Sequence, residues 1–377
     1  MEGSSSRGGR GSHRGGSRGY NTSNSNTDNA ESSSHRGGRG GGRGGRGRGY
    51  RLSGPKAERA SAARETINVT IPHILAHSSR AQTGVNSSHR YTSATLPSLP
   101  KKSSTYIPRI SVINSDTFAA AEGIISNLKS SRPTEYNNGT GPLRVAVLNM
   151  ASNVQPGGGV LNGSQAQEET LCRRSTLYPS LAKDRGTFYP LISGMVIYTS
   201  DVQVFMSQRY EMLNSNERYW VDVISAAAPK RPELSRSGAV YADQSDYEAL
   251  VTTVKSMMRV AVMKGVTHLV LGAFGCGAYG NPNRVVSEVF KRVICGRKFG
   301  ASDGSWEREE REVWETIEEV SFAIYGDDRG KGNLDAFDET FKDVFEYQDR
   351  PQTSEIAEGA EEPAKVEEEK PITETEV

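Results

Sequence analysis

The chain predicts an α/β fold of three layers, with helices on both faces of a mostly parallel or mixed sheet, flanked by disordered tails. Three observations carry this. Short apolar runs recur through the middle of the chain, at 145–148, 221–224, 268–274 and 320–325, and stretches with helical spacing separate them. Glycine-rich loops follow two of these runs, at 157–159 and 275–280. In such sheets ligands sit beyond the carboxyl ends of the strands, so both loops are expected on one edge. Finally, the apolar periodicity is confined to the middle and absent from both ends.

The ends differ in sign. Residues 1–51 are mainly Gly, Ser, Arg and Asn, with ten Arg against three acids. Such a stretch buries too little apolar surface to offset chain entropy, so 1–55 is expected to be a disordered tail. It contains the Arg-Gly-Gly tract 36–50, with Tyr20 and Tyr50 as sparse stacking partners. Arginine pairs with phosphate and stacks on bases, which makes RNA or another polyanion the expected partner of this head. Residues 351–377 carry nine Glu against two Lys, and 348–377 is expected to be a disordered acidic tail. The net charge of +1 therefore conceals a basic head and an acidic tail. The folded domain is expected over 56–347.

No apolar run approaches the ~20 residues that span a bilayer, and no signal-like apolar core opens the chain. Cys172, Cys276 and Cys295 lack metal-ligand spacing, which suits reduced thiols. A monomer without cofactor, metal or membrane contact is expected, inside the cell, in nucleus or cytoplasm.

Taken in order, the first helix is expected within 56–77. Polar residues 78–104, with scattered Pro, read as a loop or partly disordered insertion. The run 106–113 reads as a strand, at an edge because of Pro108. An Ala-rich helix follows over 116–128, with Ser115 or Asp116 as N-cap. Beyond the central stretch, 195–198 and 221–224 read as strands, the second ending in the small residues Ser225 to Ala228. A helix over 246–264 carries its methionines as core filler. Strand 268–274, a helix from Pro282 to about Gly296, strand 320–325 and helix 333–347 complete the domain. His268, at a strand start, is read as structural, and Cys276, without a partnered His, as no nucleophile.

The chain is organised around 145–181, VAVLNMASNVQPGGGVLNGSQAQEETLCRRSTLYPSL. A buried strand at 145–148 breaks into a turn and then Gly157, Gly158 and Gly159. Residues without Cβ reach left-handed conformations and let a ligand approach the backbone. A helix over 165–175 follows, with Glu168 and Glu169 near its start. This is the layout of a phosphate-cradling loop beside an acid or base. Adjacent glutamates on a helix diverge by ~100°, so they are not expected to form a facing pair. Arg173 and Arg174 are read as complementing the helix end rather than touching phosphate.

The triglycine followed by Gln167-Glu168-Glu169, within VLNMAS, PGGGVLNGSQAQEETLCRRS and LYPSL, resembles the catalytic motif of the bacterial-type poly(ADP-ribose) glycohydrolases, a branch also found in fungi. The resemblance runs from about Ala63 to Tyr325. It implies a macrodomain-like fold whose pocket holds ADP-ribose. It implies Glu169 as catalytic acid/base and Glu168 as its ribose-holding partner. Gly157, Gly158, Gly159 and Gln167 would then contact ligand, and Gly275, Gly277, Ala278 and Gly280 would form a second diphosphate loop. Tyr279 stands where relatives commonly carry a Phe packed on the ligand. Asn149 and Asn153 are candidates for ribose hydrogen bonds.

Three activities fit these residues. The first is cleavage of ribose–ribose bonds in poly(ADP-ribose), with the polymer or ADP-ribosylated proteins as partners. The second is removal of single or terminal ADP-ribose from proteins. The third is an RNA-tethered reader that binds ADP-ribose without cutting it, against which the intact Gln167-Glu168-Glu169 speaks.

Overall fold

The computed structural model describes residues 54–102, 106–296, 311–326 and 332–349. All lie within the second of two compact units, 51–377. The basic head and nearly all of the acidic tail fall outside the described residues.

Nine strands are described: β1 (His89–Tyr91), β2 (Lys101–Lys102), β3 (Arg109–Ile113), β4 (Val145–Met150), β5 (Val196–Val204), β6 (Tyr219–Ala226), β7 (His268–Leu271), β8 (Arg311–Glu312) and β9 (Glu319–Ala323). Seven form one sheet in the order β1-β5-β6-β4-β7-β9-β3, while β2 and β8 pair separately. The run β6-β4-β7-β9-β3 is parallel, and β5 and β1 continue it antiparallel. The sheet is therefore mixed, as the sequence predicts. Pro108 directly precedes the edge strand β3, where a missing N–H costs no ladder bond.

The helices are α1 (Pro55–Glu65), α2 (Ile71–His77), α3 (Ser79–Ser87), α4 (Thr117–Ser131), α5 (Pro133–Tyr136), α6 (Gln167–Arg174), α7 (Leu177–Ala182), α8 (Arg185–Phe188), α9 (Gln244–Met263), α10 (Asn283–Cys295) and α11 (Asn333–Gln348). A π-helical turn, Thr66–Thr70, joins α1 to α2. Strand alternation sorts them into layers. In β4, Ala146 and Leu148 pack with Met257 of α9, Phe290 of α10 and Phe341 of α11. Its neighbours Val145 and Val147 pack on the other face with Phe118 of α4, Leu171 of α6 and Leu177 of α7. Successive side chains of a strand point to opposite faces, so one six-residue strand anchors both cores.

The reading of 78–104 as a loop is corrected. It contains α3 and β1, and β1 pairs with β5 as the sheet's edge. Ser78 caps α3 by accepting from the Ala81 N–H. Gly84 lets the helix lie on β5, because a Cβ there would stand 2.3 Å from the Ser200 carbonyl oxygen. Arg80 secures the contact through Asp201 at 2.8 Å and the Trp220 ring at 4.3 Å. The buried face of this short helix is only Ala81, Gly84 and Val85, too slight a stripe to stand out in sequence. Residues 103–105 lie outside the described residues. Other boundaries move by a few residues. α4 is capped by Asp116, whose Oδ1 accepts from the N–H of Phe118 and Ala119.

Candidate active site

A cavity of about 840 Å3 opens at the carboxyl ends of the parallel strands. Its lining comes from the segments that leave β3 (Asp116), β4 (Ser152), β6 (Lys230), β7 (Tyr279) and β9 (Tyr325). Both glycine loops thus reach one edge, as the topology predicts.

The N-terminus of α6 is fixed to the end of β4 by Gln167. Its Oε1 accepts from the Met150 N–H at 2.9 Å, and its Nε2 donates to the Leu148 carbonyl at 2.6 Å and to Thr117 Oγ1 at 3.2 Å. Gln167 lines the cavity, yet its amide is already engaged by the protein on both sides. What it does in the structure is position the next two residues.

Those residues are buried. Glu168 Oε2 accepts from the Ser152 N–H at 2.7 Å and Oε1 from the Gly157 N–H at 3.2 Å. Burial pushes its carboxyl up to about 8, opposed by the Ser152 amide and assisted by the charge of Glu169. Glu169 Oε1 accepts from the Gly159 N–H at 2.8 Å, and its Oε2 is enclosed without a hydrogen-bond partner. The predicted divergence of the pair is corrected. A Cβ on Gly158 would lie 2.7 Å from Glu169 Oε1 and 2.9 Å from Glu168 Oε2, so both carboxylates fold back over one glycine. The Cβ directions do diverge, but three side-chain torsions bring the ends together.

The triglycine therefore acts differently from expectation. Its N–H groups bond inward, Gly157 to Glu168, Gly158 to the Gln155 carbonyl at 3.3 Å, and Gly159 to Glu169. Gly157 and Gly158 adopt φ of 66° and 52°. The close approach that these glycines permit is to the glutamates, and their amides are not free for phosphate.

The second loop supplies what the first does not. Among the described residues, the N–H groups of Gly277, Ala278 and Tyr279 donate to no protein acceptor, and all three residues line the cavity. A Cβ on Gly277 would meet nothing within 4 Å, so the backbone there faces open space. Gly275 serves packing, since a Cβ would stand 2.4 Å from that of Ala228. Lys230 adds positive charge, its Nζ lying 6.0 Å from the Tyr279 ring. Consecutive free amides beside a cation suit an anion such as a diphosphate.

The two loops are clasped together. The Asn153 N–H donates to Tyr279 Oη at 2.9 Å, and that hydroxyl donates to Asn153 Oδ1 at 3.1 Å. Asn149 is fully buried in β4, with Nδ2 donating to Ser225 Oγ at 3.0 Å. Asn149, Asn153, Gly157 and Gly280 are not among the residues that line the cavity.

Arg173 and Arg174 stand in the last turn of α6, where their charges complement the helix end, and each also makes a contact beyond it. Arg173 Nη1 donates to the Ser164 carbonyl at 2.8 Å, and Arg174 Nη1 pairs with Asp116 at 2.7 Å. Asp116 and Arg174 both line the cavity, as do Gln208, Tyr210, Lys230 and Tyr325, which the sequence did not single out. Gln208, Tyr210, Lys230 and Tyr325 lie outside the central motif, and no sequence signal marks them. Burial pushes the Cys276 thiol up to about 12, in keeping with no nucleophilic role. His268 is buried and bonds Thr267 Oγ1 through Nδ1 at 2.9 Å, a structural place.

Residues 63–207 match the family model described as microbial-type PARG, catalytic domain. Among solved structures, poly(ADP-ribose) glycohydrolase from Thermomonospora curvata is 26% identical with a TM-score of 0.56, covering 75% of this chain and 99% of that one. The same enzyme bound to the inhibitor ADP-HPD matches with 26% identity and a TM-score of 0.55, over the same shares of the two chains. The Deinococcus radiodurans enzyme in complex with ADP-ribose is 24% identical with a TM-score of 0.51, covering 70% of this chain and 97% of that one, which bears on the fold alone. No curated protein matches the chain.

Proposed function

We propose that the chain carries the catalytic domain of a microbial-type poly(ADP-ribose) glycohydrolase, and that its residues cleave the ribose–ribose bonds of poly(ADP-ribose). The observation that carries the proposal is the state of Glu169. One oxygen is held by the Gly159 amide and the other is buried without a partner, in a residue that lines the cavity. A buried carboxylate oxygen without a hydrogen bond costs stability, and such a cost persists where substrate supplies the missing partner.

In this reading the diphosphate of a terminal ADP-ribose rests on the amides of Gly277, Ala278 and Tyr279, with Lys230 nearby. Arg174 is not available to it, because Asp116 neutralises that guanidinium. The ribose to be cut then reaches α6. Glu169 gives its proton to the departing ribose oxygen as the glycosidic C–O bond breaks and positive charge develops on the sugar. Water adds to the sugar carbon and returns a proton to the Glu169 carboxylate, which restores the acid. Glu168, held by two backbone amides, fixes the loop. The inhibitor complex of the Thermomonospora curvata enzyme supports a cavity for an ADP-ribose-like ligand.

Glu169→Gln keeps the shape and removes the proton transfer. Release of ADP-ribose from purified polymer should fall by ~10²-fold or more, with ADP-ribose affinity within a few fold. Near-normal turnover by this variant would end the assignment.

The basic head is proposed to hold RNA or the polymer by salt-sensitive contacts, on the strength of its Arg-Gly-Gly tract. The macrodomain-like reading rests on the layers and on the cavity at the strand ends. A monomer inside the cell completes the proposal.

A further inference from the structure

A second cavity, of about 410 Å3, lies beside the first, and Tyr210 lines both. Ala62 of α1 and the π-helical turn stand on one side, Met206 and Met212 on the other, and Arg173 in the wall. Met206 and Met212 form an antiparallel bridge, so Tyr210 stands near the tip of a short hairpin between the cavities. Its φ of 63° is left-handed, which a residue with a side chain keeps only when its surroundings enforce it. The turn's own bonds do so here, the Tyr210 N–H to the Ser207 carbonyl at 3.0 Å and the Ser207 N–H to the Glu211 carbonyl at 2.8 Å, and Arg173 lies beside the side chain, with Cζ 5.6 Å from the ring centroid and Nη2 3.4 Å from the hydroxyl. That arginine is 2% exposed, and its Nε has no acceptor, so the wall is electropositive and incompletely satisfied.

The position matters because α6 serves both cavities. Glu169 lines the first and Arg173, four residues later, lines the second, a spacing of roughly 6 Å along the helix axis. A polymer cut at Glu169 continues from the cut ribose into its next unit, which needs a place within reach of that helix.

We propose that the second cavity holds the nucleoside of the adjoining unit of the same polymer chain, an inference that rests on the glycohydrolase reading. The walls choose the nucleoside over the diphosphate. Ala62, Met206, Met212 and the Tyr210 ring give a base an apolar, stackable surface, and base–aromatic stacking tolerates any base. Thr66 and Thr70 offer hydroxyls to a ribose, and Glu58 and Glu65 offset the charges of Arg59 and Arg173, which leaves a diphosphate no net attraction. The volume falls within the roughly 300–1,000 Å3 of small-molecule sites.

The test uses the full chain and two variants, Ala62→Trp and Met212→Glu. Neither residue lines the first cavity, and Met212 is 51% exposed. Steady-state rates on long poly(ADP-ribose) are measured beside ADP-ribose affinity by calorimetry. The expected result is a roughly tenfold rise in KM for polymer, with kcat and ADP-ribose affinity at parental values. An unchanged KM in Met212→Glu overturns the proposal, as does an equal loss of ADP-ribose affinity, which would place the effect in the first cavity. Should Ala62→Trp fail to fold, Met212→Glu decides alone. A parent protein that releases no ADP-ribose from polymer would instead sink the glycohydrolase reading itself.

Discussion

Replacing Gly158 by alanine puts a methyl group where the two carboxylates of the site meet. The new Cβ would stand 2.7 Å from Glu169 Oε1 and 2.9 Å from Glu168 Oε2, closer than real Cβ contacts allow. At φ of 52° an L-residue also carries a backbone penalty of about 1–2 kcal/mol. The methyl group expels the Glu169 carboxyl from the Gly159 amide, a hydrogen bond worth about 0.5–1.5 kcal/mol. A domain of this size loses ~2–4 °C of Tm per kcal/mol, so a loss of about 1.5–3.5 kcal/mol should melt Gly158→Ala ~3–14 °C below the parent and still leave it folded. Turnover should fall by ~10²-fold, the usual effect of displacing a reacting group by about 1 Å. ADP-ribose affinity, proposed to rest on the amides of 277–279, should stay within a few fold. Polymer hydrolysis, calorimetry with ADP-ribose and thermal melts distinguish the outcomes. Parental turnover would refute the reasoning, and loss of ADP-ribose binding in a folded variant would return the phosphate to the triglycine loop.

Gly277→Val is the converse case: its Cβ enters open cavity, so Tm should stay within ~2 °C while calorimetric ADP-ribose affinity drops at least tenfold. Glu168 holds its proton more tightly folded than unfolded, so its contribution to stability is full below about pH 4.5 and is lost as pH rises through about 8. Melts across that window should therefore show a shallower fall of Tm with pH for Glu168→Gln than for the parent, whatever the variant's absolute stability; parallel slopes would contradict the burial argument. Deleting residues 1–51 should remove RNA or polymer binding that weakens by about 0.7 log units per log unit of salt for each phosphate contacted. Equal affinities of full and shortened chains at low and moderate salt would show a head without a binding role.

Much of the fold was legible because strand and helix periods are local. The run at 145–148 announced β4, and Pro108 announced an edge. α3 escaped because its docking rests on Gly84 meeting a backbone carbonyl and on Arg80 over Trp220, pairings between residues far apart in the chain. The site was legible at the level of the motif and less so at the level of atoms. Glycines announce a close approach without saying to what, and here the triglycine approaches Glu168 and Glu169. The intramolecular bonds of Gln167 and Asn149 were not legible, because an amide side chain reads the same in sequence whatever it faces. Asp116, Lys230 and Tyr325 meet only once the strand ends are gathered.

The clasp between Asn153 and Tyr279 bears on what binding must cost. Loops that order only around a ligand lose roughly 1–2 kcal/mol of backbone freedom for each residue fixed, and affinity falls accordingly. Here the segments leaving β4 and β7 are tied to each other by two hydrogen bonds before anything enters. The amides of Gly277 and Ala278 are thereby set in place in advance, and the entropy of ordering them is lost during folding. What an arriving diphosphate then gives up is chiefly its own motion and its water.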